Sequence, residues 1–168
     1  MVQLRRLCDG DVPAMRAMLA MFGEAFGEVR TYTGHPPSDA YLKQRLQDQT
    51  FLALAAQDGD RVVGGLAAYE LRKFEQERSE VYIYDLAVAA SHRRQGIATG
   101  LIEAACQWAA SRGAWVMYVQ ADTGPDDAAA IALYSKLGTR ERVLHFDIAV
   151  LPGKQDGDAH GATGTPVS

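Results

Sequence analysis

Asp85 is the only side chain between positions 81 and 90 that is neither aliphatic nor aromatic. Burying an unpaired carboxylate costs several kcal/mol or raises its pKa, so an apolar strand keeps one where it faces a cleft or a cationic partner. In a cleft, such a carboxylate can hold an ammonium group and accept its proton as the nitrogen attacks a carbonyl carbon. The plainer alternative is an acid at an exposed strand end, paired with an arginine.

A second group follows at once. Ser91, His92, Arg93, Arg94, Gln95, Gly96, Ile97, Ala98 and Thr99 join that apolar strand to an amphipathic helix presenting Ile97, Leu101, Ile102, Ala105 and Trp108 on one side. Free backbone N–H groups at a helix start, with the helix dipole behind them, favour an anion such as a pyrophosphate, and Gly96 lets the backbone approach it. The two arginines add positive charge. The turn lacks the Gly-Lys-Ser/Thr end of a P-loop and the three spaced glycines of a dinucleotide fingerprint. An ordinary tight turn with solvated arginines stands as the alternative.

Other acids are spread around the same region: Glu80 on the Asp85 strand, Asp122 past the end of the next strand, Asp126 and Asp127 before the last helix, and Asp147 between Phe146 and Ile148. Asp126 or Asp127 suits a helix cap, and Glu80 a solvated strand position. Asp147 is harder to dismiss, because residues 143–150 are otherwise largely apolar. Tyr134 has the helical spacing of a core residue with Ile131 and Leu137. Cys8 and Cys106 form no CxxC pair and no metal-ligand cluster with the four histidines, so neither zinc nor a disulfide framework is expected. Cys106, among alanines and Trp108, is read as buried.

These residues need a scaffold. Apolar runs predict a strand over 2–7, a helix capped by Asp11 with Pro13 in its first turn and ended by Gly23, a long loop over 24–37, and a helix capped by Ser38 and ending near Gln49. Residues 50–57 and 61–71 read as strands joined by an Asp58-Gly59-Asp60 hairpin turn, with a third strand over 79–89. Helices over 97–112 and 127–137 alternate with strands over 114–121 and 141–150, and Gly113 and Gly138 are placed to end the helices in the left-handed conformation. The order β-α-α-β-β-β-α-β-α-β predicts an α/β fold, a mixed, partly antiparallel sheet with flanking helices.

A chain of 168 residues with 48% hydrophobic and 23% charged residues suits one domain. Residues 1–151 are assigned to it, and the Gly- and Pro-containing residues 152–168 to a disordered tail. The net charge of −4 argues against a nucleic-acid backbone or an anionic membrane as partner and favours a cationic ligand. With no signal-peptide core and no apolar stretch of membrane-spanning length, a cytoplasmic protein is expected.

The run Arg93-x-x-Gly96-x-Ala98 on a strand, loop and helix, in this element order, resembles the acetyl-CoA-binding signature of the GCN5-related N-acetyltransferases. Longer blocks, at 73–76, 79–88, 118–122, 132–138 and 145–148, resemble aminoglycoside 3-N-acetyltransferases of the gentamicin-resistance type. The resemblance implies acetyl-CoA as co-substrate, no metal, and a cationic aminoglycoside as acceptor. It implies a cofactor site made by Leu86, Ala87, Val88 and Arg93, Arg94, Gln95, Gly96, Ile97, Ala98 and Thr99. It implies Asp85 and Tyr134 as catalytic residues, the tyrosine protonating the leaving thiolate, with Glu80, Tyr84, Asp122 and Asp147 holding the acceptor. A homodimer is implied as well. Polyamine or protein acetylation, or a non-catalytic acyl-CoA sensor, are the competing expectations; the loop 123–127 matches no family block.

Overall fold

The computed structural model describes residues 1–150; the tail assigned to 152–168 lies outside the described residues. Five strands form one sheet in sequence order: β1 (Gln3–Arg6), β2 (Phe51–Asp58), β3 (Arg61–Arg72), β4 (Ser79–Val88) and β5 (Ala114–Val119). The first four run antiparallel, and β4 and β5 run parallel, as a helical crossover between them requires. Gly59, at φ 58°, makes the tight turn between β2 and β3.

Helices cover both faces. On one, α4 (Ile97–Ser111) sets Leu101, Ile102, Ala105 and Ala109 against Leu52, Leu66, Val81 and Ile83 of the sheet. On the other, α1 (Val12–Phe26) and α3 (Asp39–Gln47) pack Met15, Met18, Phe22, Leu42 and Leu46 on Phe51, Ala53, Ala55 and Ala67. Small strand residues bring α1 close: a Cβ at Gly65 would stand 2.6 Å from the Met18 side chain and 3.1 Å from Phe22. The Ser38 hydroxyl caps α3 by accepting from the Tyr41 N–H at 3.2 Å.

The fold class follows the sequence reading, and the element order departs from it in two places, a short added helix and a missing last strand, while two helix ends also differ. Gly23 does not end α1; it is buried inside a helix that runs on to Gly27, which takes the left-handed C-terminal position at φ 73°. The absent side chain at Gly23 serves packing instead. A Cβ there would meet Val29 Cα at 3.1 Å and Tyr32 Cβ at 3.3 Å, so the glycine admits a short helix, α2 (Val29–Thr33), into the segment expected to be a loop.

At the other end, α5 (Ala128–Leu137) stops at Gly138 in an extended rather than left-handed conformation, φ −148° and ψ 179°, with the Gly138 N–H bonded to the Tyr134 carbonyl. The strand expected over 141–150 is absent: residues 139–150 form no regular structure and all are exposed. Alternating apolar residues make a strand only where a neighbouring strand accepts their hydrogen bonds, and residues 139–150 pair with none of the five strands. Cys106, expected in the core, is exposed on α4.

Candidate active site

Two irregularities in β4 make the site. The first is a bulge. Ile83 pairs with Ala68 and Asp85 with the adjacent Ala67, which leaves Tyr84 as an extra residue. A bulge lets two consecutive side chains share a face. The Tyr84 ring accordingly lies 5.9 Å from Tyr69 and 5.7 Å from Tyr82, while Asp85 faces α2 and accepts a hydrogen bond from the Tyr32 hydroxyl at 2.8 Å. Leu86 and Val88 then pack toward α4, and Ala87 toward α1.

The second irregularity is a parting of strands. Pairing between β4 and β5 ends at Ile83 and Val119, so residues 84–88 are bonded to β3 on one side only. A cleft of about 680 Å³ opens there, lined by Leu86, Ala87 and Val88 on one wall and Val119 and Gln120 on the other. It runs from Ala25 and Phe26 of α1 to Leu133 and Tyr134 of α5. A free strand edge inside a cleft can take an extended amide chain as an added strand.

At the far end of this edge the backbone turns into an anion cradle. Arg94, at φ 63°, is the one non-glycine residue with positive φ among the described residues, and Gly96 is at φ 79°. Left-handed residues in alternation turn successive N–H groups toward a common centre. No side chain caps α4, and the first hydrogen bond back to the turn comes from the Gly100 N–H to the Gly96 carbonyl, so the N–H groups of Ile97, Ala98 and Thr99 have no helical acceptor. Arg93, Arg94, Gly96, Ile97, Ala98 and Thr99 all line the cleft; Gln95, next to them, is exposed and outside its lining. Arg93 reaches back, donating from Nε to the Val88 carbonyl at 3.2 Å, which ties the turn to the strand edge. An extended molecule with a diphosphate at one end fits this edge and cradle.

Electrostatics separate the two ends. Burial pushes the Asp85 carboxyl above the ordinary carboxylate range, and Glu28 adds to the rise, while the Tyr32 hydrogen bond works against it. Burial and the Asp85 charge in turn push the Tyr32 phenol well above its usual value. Tyr134, half-buried, also has a raised pKa, from burial first and Asp127 second, so its hydroxyl keeps its proton through neutral pH.

The expected acceptor residues are only partly brought together. Tyr84 lines the cleft, while Asp85, next to it on β4, is outside the lining and faces Tyr32. Glu80 lies further down β4, 3.5 Å from the Lys73 ammonium and 3.4 Å from the Trp115 indole N–H. Asp122 is exposed beyond the end of β5. Asp147 is exposed on the terminal segment, bonded to His145 at 3.0 Å, so it does not reach the cleft of its own chain.

Sequence reasoning missed a row of aromatic side chains. Tyr69, Tyr84, Tyr82 and Tyr118 form a continuous series of ring contacts along the Asp85 face, with Tyr82 and Tyr118 stacked at 4.9 Å. Tyr32 was visible only as an aromatic in a presumed loop. Tyr82 and Tyr84 occupy alternate positions on one strand, a signal that was present and unused.

Residues 15–139 match a family model described as the Acetyltransferase (GNAT) family. The chain belongs to that family. Members of the family transfer an acetyl group from acetyl-CoA. An aminoglycoside acetyltransferase from an uncultured soil metagenomic sample is 58% identical, with a TM-score of 0.88 over 89% of this chain and 99% of its own. A second soil metagenomic aminoglycoside acetyltransferase, solved with sisomicin, is 29% identical, with a TM-score of 0.80 over 89% of this chain and 96% of its own. Some curated relatives are longer. The chain spans 46% of N-acetyltransferase 8B of Rattus norvegicus, to which it is 29% identical over 104 residues, or 62% of this chain. Among the described residues no helix is long and apolar enough to cross a membrane, and no group of three or more acids, histidines or cysteines is placed to hold a metal.

Proposed function

We propose that the chain is an acetyl-CoA-dependent aminoglycoside N-acetyltransferase, acting on the 3-amino group of gentamicin-like compounds and giving its host resistance to them. The observation that carries this reading is Asp85, half-buried behind a row of tyrosines and next in the strand to the lining of a cleft whose other end presents backbone N–H groups without helical acceptors. The 58% identity to a soil aminoglycoside acetyltransferase supports the acceptor class. The position acetylated comes from the sequence resemblance.

Bound acetyl-CoA supplies an activated acyl carbon and a thiolate leaving group. The chain's part is to place and deprotonate the amine. Asp85 holds the acceptor ammonium and takes its proton, directly or through water; the tyrosine faces beside it receive the sugar rings and their cationic groups. The backbone N–H groups of 96–99 hold the diphosphate, and residues 84–88 align the arm so that the reacting carbon meets the amine. Tyr134 lines the cleft and keeps its proton, and it would donate that proton to the leaving thiolate.

Mass spectrometry of gentamicin and sisomicin after incubation with acetyl-CoA tests the reading, with spermidine and a lysine peptide as competing acceptors. Addition of one acetyl group to the antibiotics supports it. Faster acetylation of spermidine or the peptide makes the chain a polyamine or protein acetyltransferase, and no acetylation of any acceptor despite tight CoA binding makes it a sensor.

Two variants probe the parts. Gly96→Val forces a β-branched residue to φ 79°, a conformation costing about 1–2 kcal/mol for an L side chain, and distorts the cradle. The Kd for CoA by calorimetry should rise about tenfold or more; an unchanged Kd rejects the cradle as the diphosphate site. Tyr134→Phe removes a donor to a group whose pKa of about 8.5 lets it leave moderately well unaided. Turnover should fall roughly tenfold without being abolished, and an unchanged kcat leaves Tyr134 a packing residue.

A further inference from the structure

The sequence allows Asp85 an arginine as partner; the fold gives it a phenol. Among the described residues no cation pairs with Asp85, and its one side-chain partner is Tyr32, whose hydroxyl donates to Oδ1 at 2.8 Å. The difference matters for a group that has to receive an ammonium. A cationic partner would compete with the incoming amine for the carboxylate and would make it a weaker base. A neutral donor fixes one oxygen and leaves the charge in place. Oδ2, which accepts from no group of the chain among the described residues, is left for the proton of the acceptor.

Tyr32 is itself held in place by α1. Its ring meets Phe22 edge-on with centroids 6.0 Å apart and Phe26 at 5.8 Å. A Cβ on Gly23 would stand 3.3 Å from the Tyr32 Cβ and 3.1 Å from Val29 Cα, so any side chain there displaces α2. The Glu28 N–H donates to the Gly23 carbonyl at 2.8 Å, which closes the turn from α1 into α2. These contacts aim one hydroxyl at a strand 53 residues further along the chain.

The other titratable groups around Asp85 are Glu28 at the start of α2, Tyr69 on β3, and Tyr82 and the adjacent Tyr84 on β4. None is a cation, and Glu28 repels the carboxylate. Phe22 and Phe26 of α1 carry no charge. The Tyr32 hydroxyl is thus the one contact from the chain that favours the ionised carboxylate.

We propose that Tyr32 is a positioning residue for acetyl transfer: seated against Gly23, its hydroxyl fixes the Asp85 carboxylate so that Oδ2 meets the acceptor amine. The proposal rests on the reading of Asp85 as the group that takes the amine's proton, and adds the contact that orients it. Without that contact the carboxylate turns about its own side-chain bond, and a misplaced base costs rate rather than cofactor affinity.

Tyr32→Phe, Gly23→Ala and their combination, set beside Asp85→Asn in the full chain, test it with acetyl-CoA and the fastest acceptor among gentamicin, sisomicin, spermidine and the lysine peptide. Tyr32→Phe keeps the ring contacts and removes only the donor. Its kcat should fall about tenfold or more while KM for acetyl-CoA stays within about twofold. The Asp85 carboxyl, titrated by NMR, should move up in the same variant. Gly23→Ala should lower kcat as well, and in the Tyr32→Phe background it should cost nothing further, since both act through one hydrogen bond. A wild-type kcat in Tyr32→Phe, or an Asp85 carboxyl that titrates as in the wild type, overturns the proposal while an inactive Asp85→Asn still marks the base. An equal further loss from Gly23→Ala in the Tyr32→Phe background overturns the part given to the glycine. Near-normal activity of Asp85→Asn removes the reading underneath, and the proposal falls with it.

Discussion

Asp85→Asn is expected to lower kcat/KM for an aminoglycoside by about 10²–10⁴ while the Kd for CoA stays within about twofold. The substitution is nearly isosteric, and the Asn carbonyl still accepts the Tyr32 hydrogen bond. What it removes is the negative charge that holds the ammonium and the basic oxygen that takes its proton. The 93–99 turn proposed to hold CoA lies at the opposite end of the cleft, so CoA binding should be untouched. Near-normal activity in this variant excludes Asp85 as base and as anchor.

The pH dependence follows from the same environment. Because burial raises the Asp85 pKa, the acid limb of kcat/KM should lie above the ordinary carboxylate range. Tyr32→Phe removes the hydrogen bond that favours the carboxylate, so the limb should move further up. Stability carries the opposite sign. A carboxyl whose folded pKa is raised contributes stability that is present below its unfolded pKa and is lost as pH rises through the folded value. Asp85→Asn should therefore raise Tm at pH 7, with the gain shrinking as the wild-type carboxyl protonates in acid. A lower Tm at pH 7 would mean that the ionised form is welcome where it stands.

Asp85 and the 93–99 turn were legible in the sequence because each breaks a local pattern: one charge in an apolar strand, one glycine between a strand and an amphipathic helix. The bulge was not. Period-two reading places Tyr84 and Asp85 on opposite faces, and only the pairing with β3 shows that they share one. The same limit hid Tyr32. Gly23 looks like a helix end in sequence, but its missing side chain is used for the approach of α2, a tertiary contact that no local rule records. The terminal strand failed for the converse reason: the alternation over 143–150 is sound, and a strand also requires an edge to pair with. Charge pattern says nothing about direction: Glu80 pairs with Lys73, and Asp122 and Asp147 are exposed away from the cleft lining.

Arg112→Ala is expected to destabilise the fold by about 3–5 kcal/mol, although Arg112 touches nothing in the cleft. Its guanidinium Nε donates to Glu70 Oε2 at 2.5 Å and lies over the Trp108 ring at 5.3 Å. Only 4% of the Glu70 side chain is exposed, on a strand buried between the helix layers. Removing the arginine leaves that carboxylate buried with no countercharge, a cost well above that of losing a surface pair. For a domain of this size the loss corresponds to a Tm lower by roughly 6–20 °C. Replacing both residues by Met should recover most of the stability, since no charge is left stranded. The pair anchors the C-terminal end of α4, and the turn proposed to hold CoA lies at the other end, about 22 Å away along a helix of 15 residues. At a temperature where the variant is folded, its Kd for CoA should accordingly match the wild type. A loss below about 1 kcal/mol in denaturant unfolding would show that water already reaches Glu70 in the native protein.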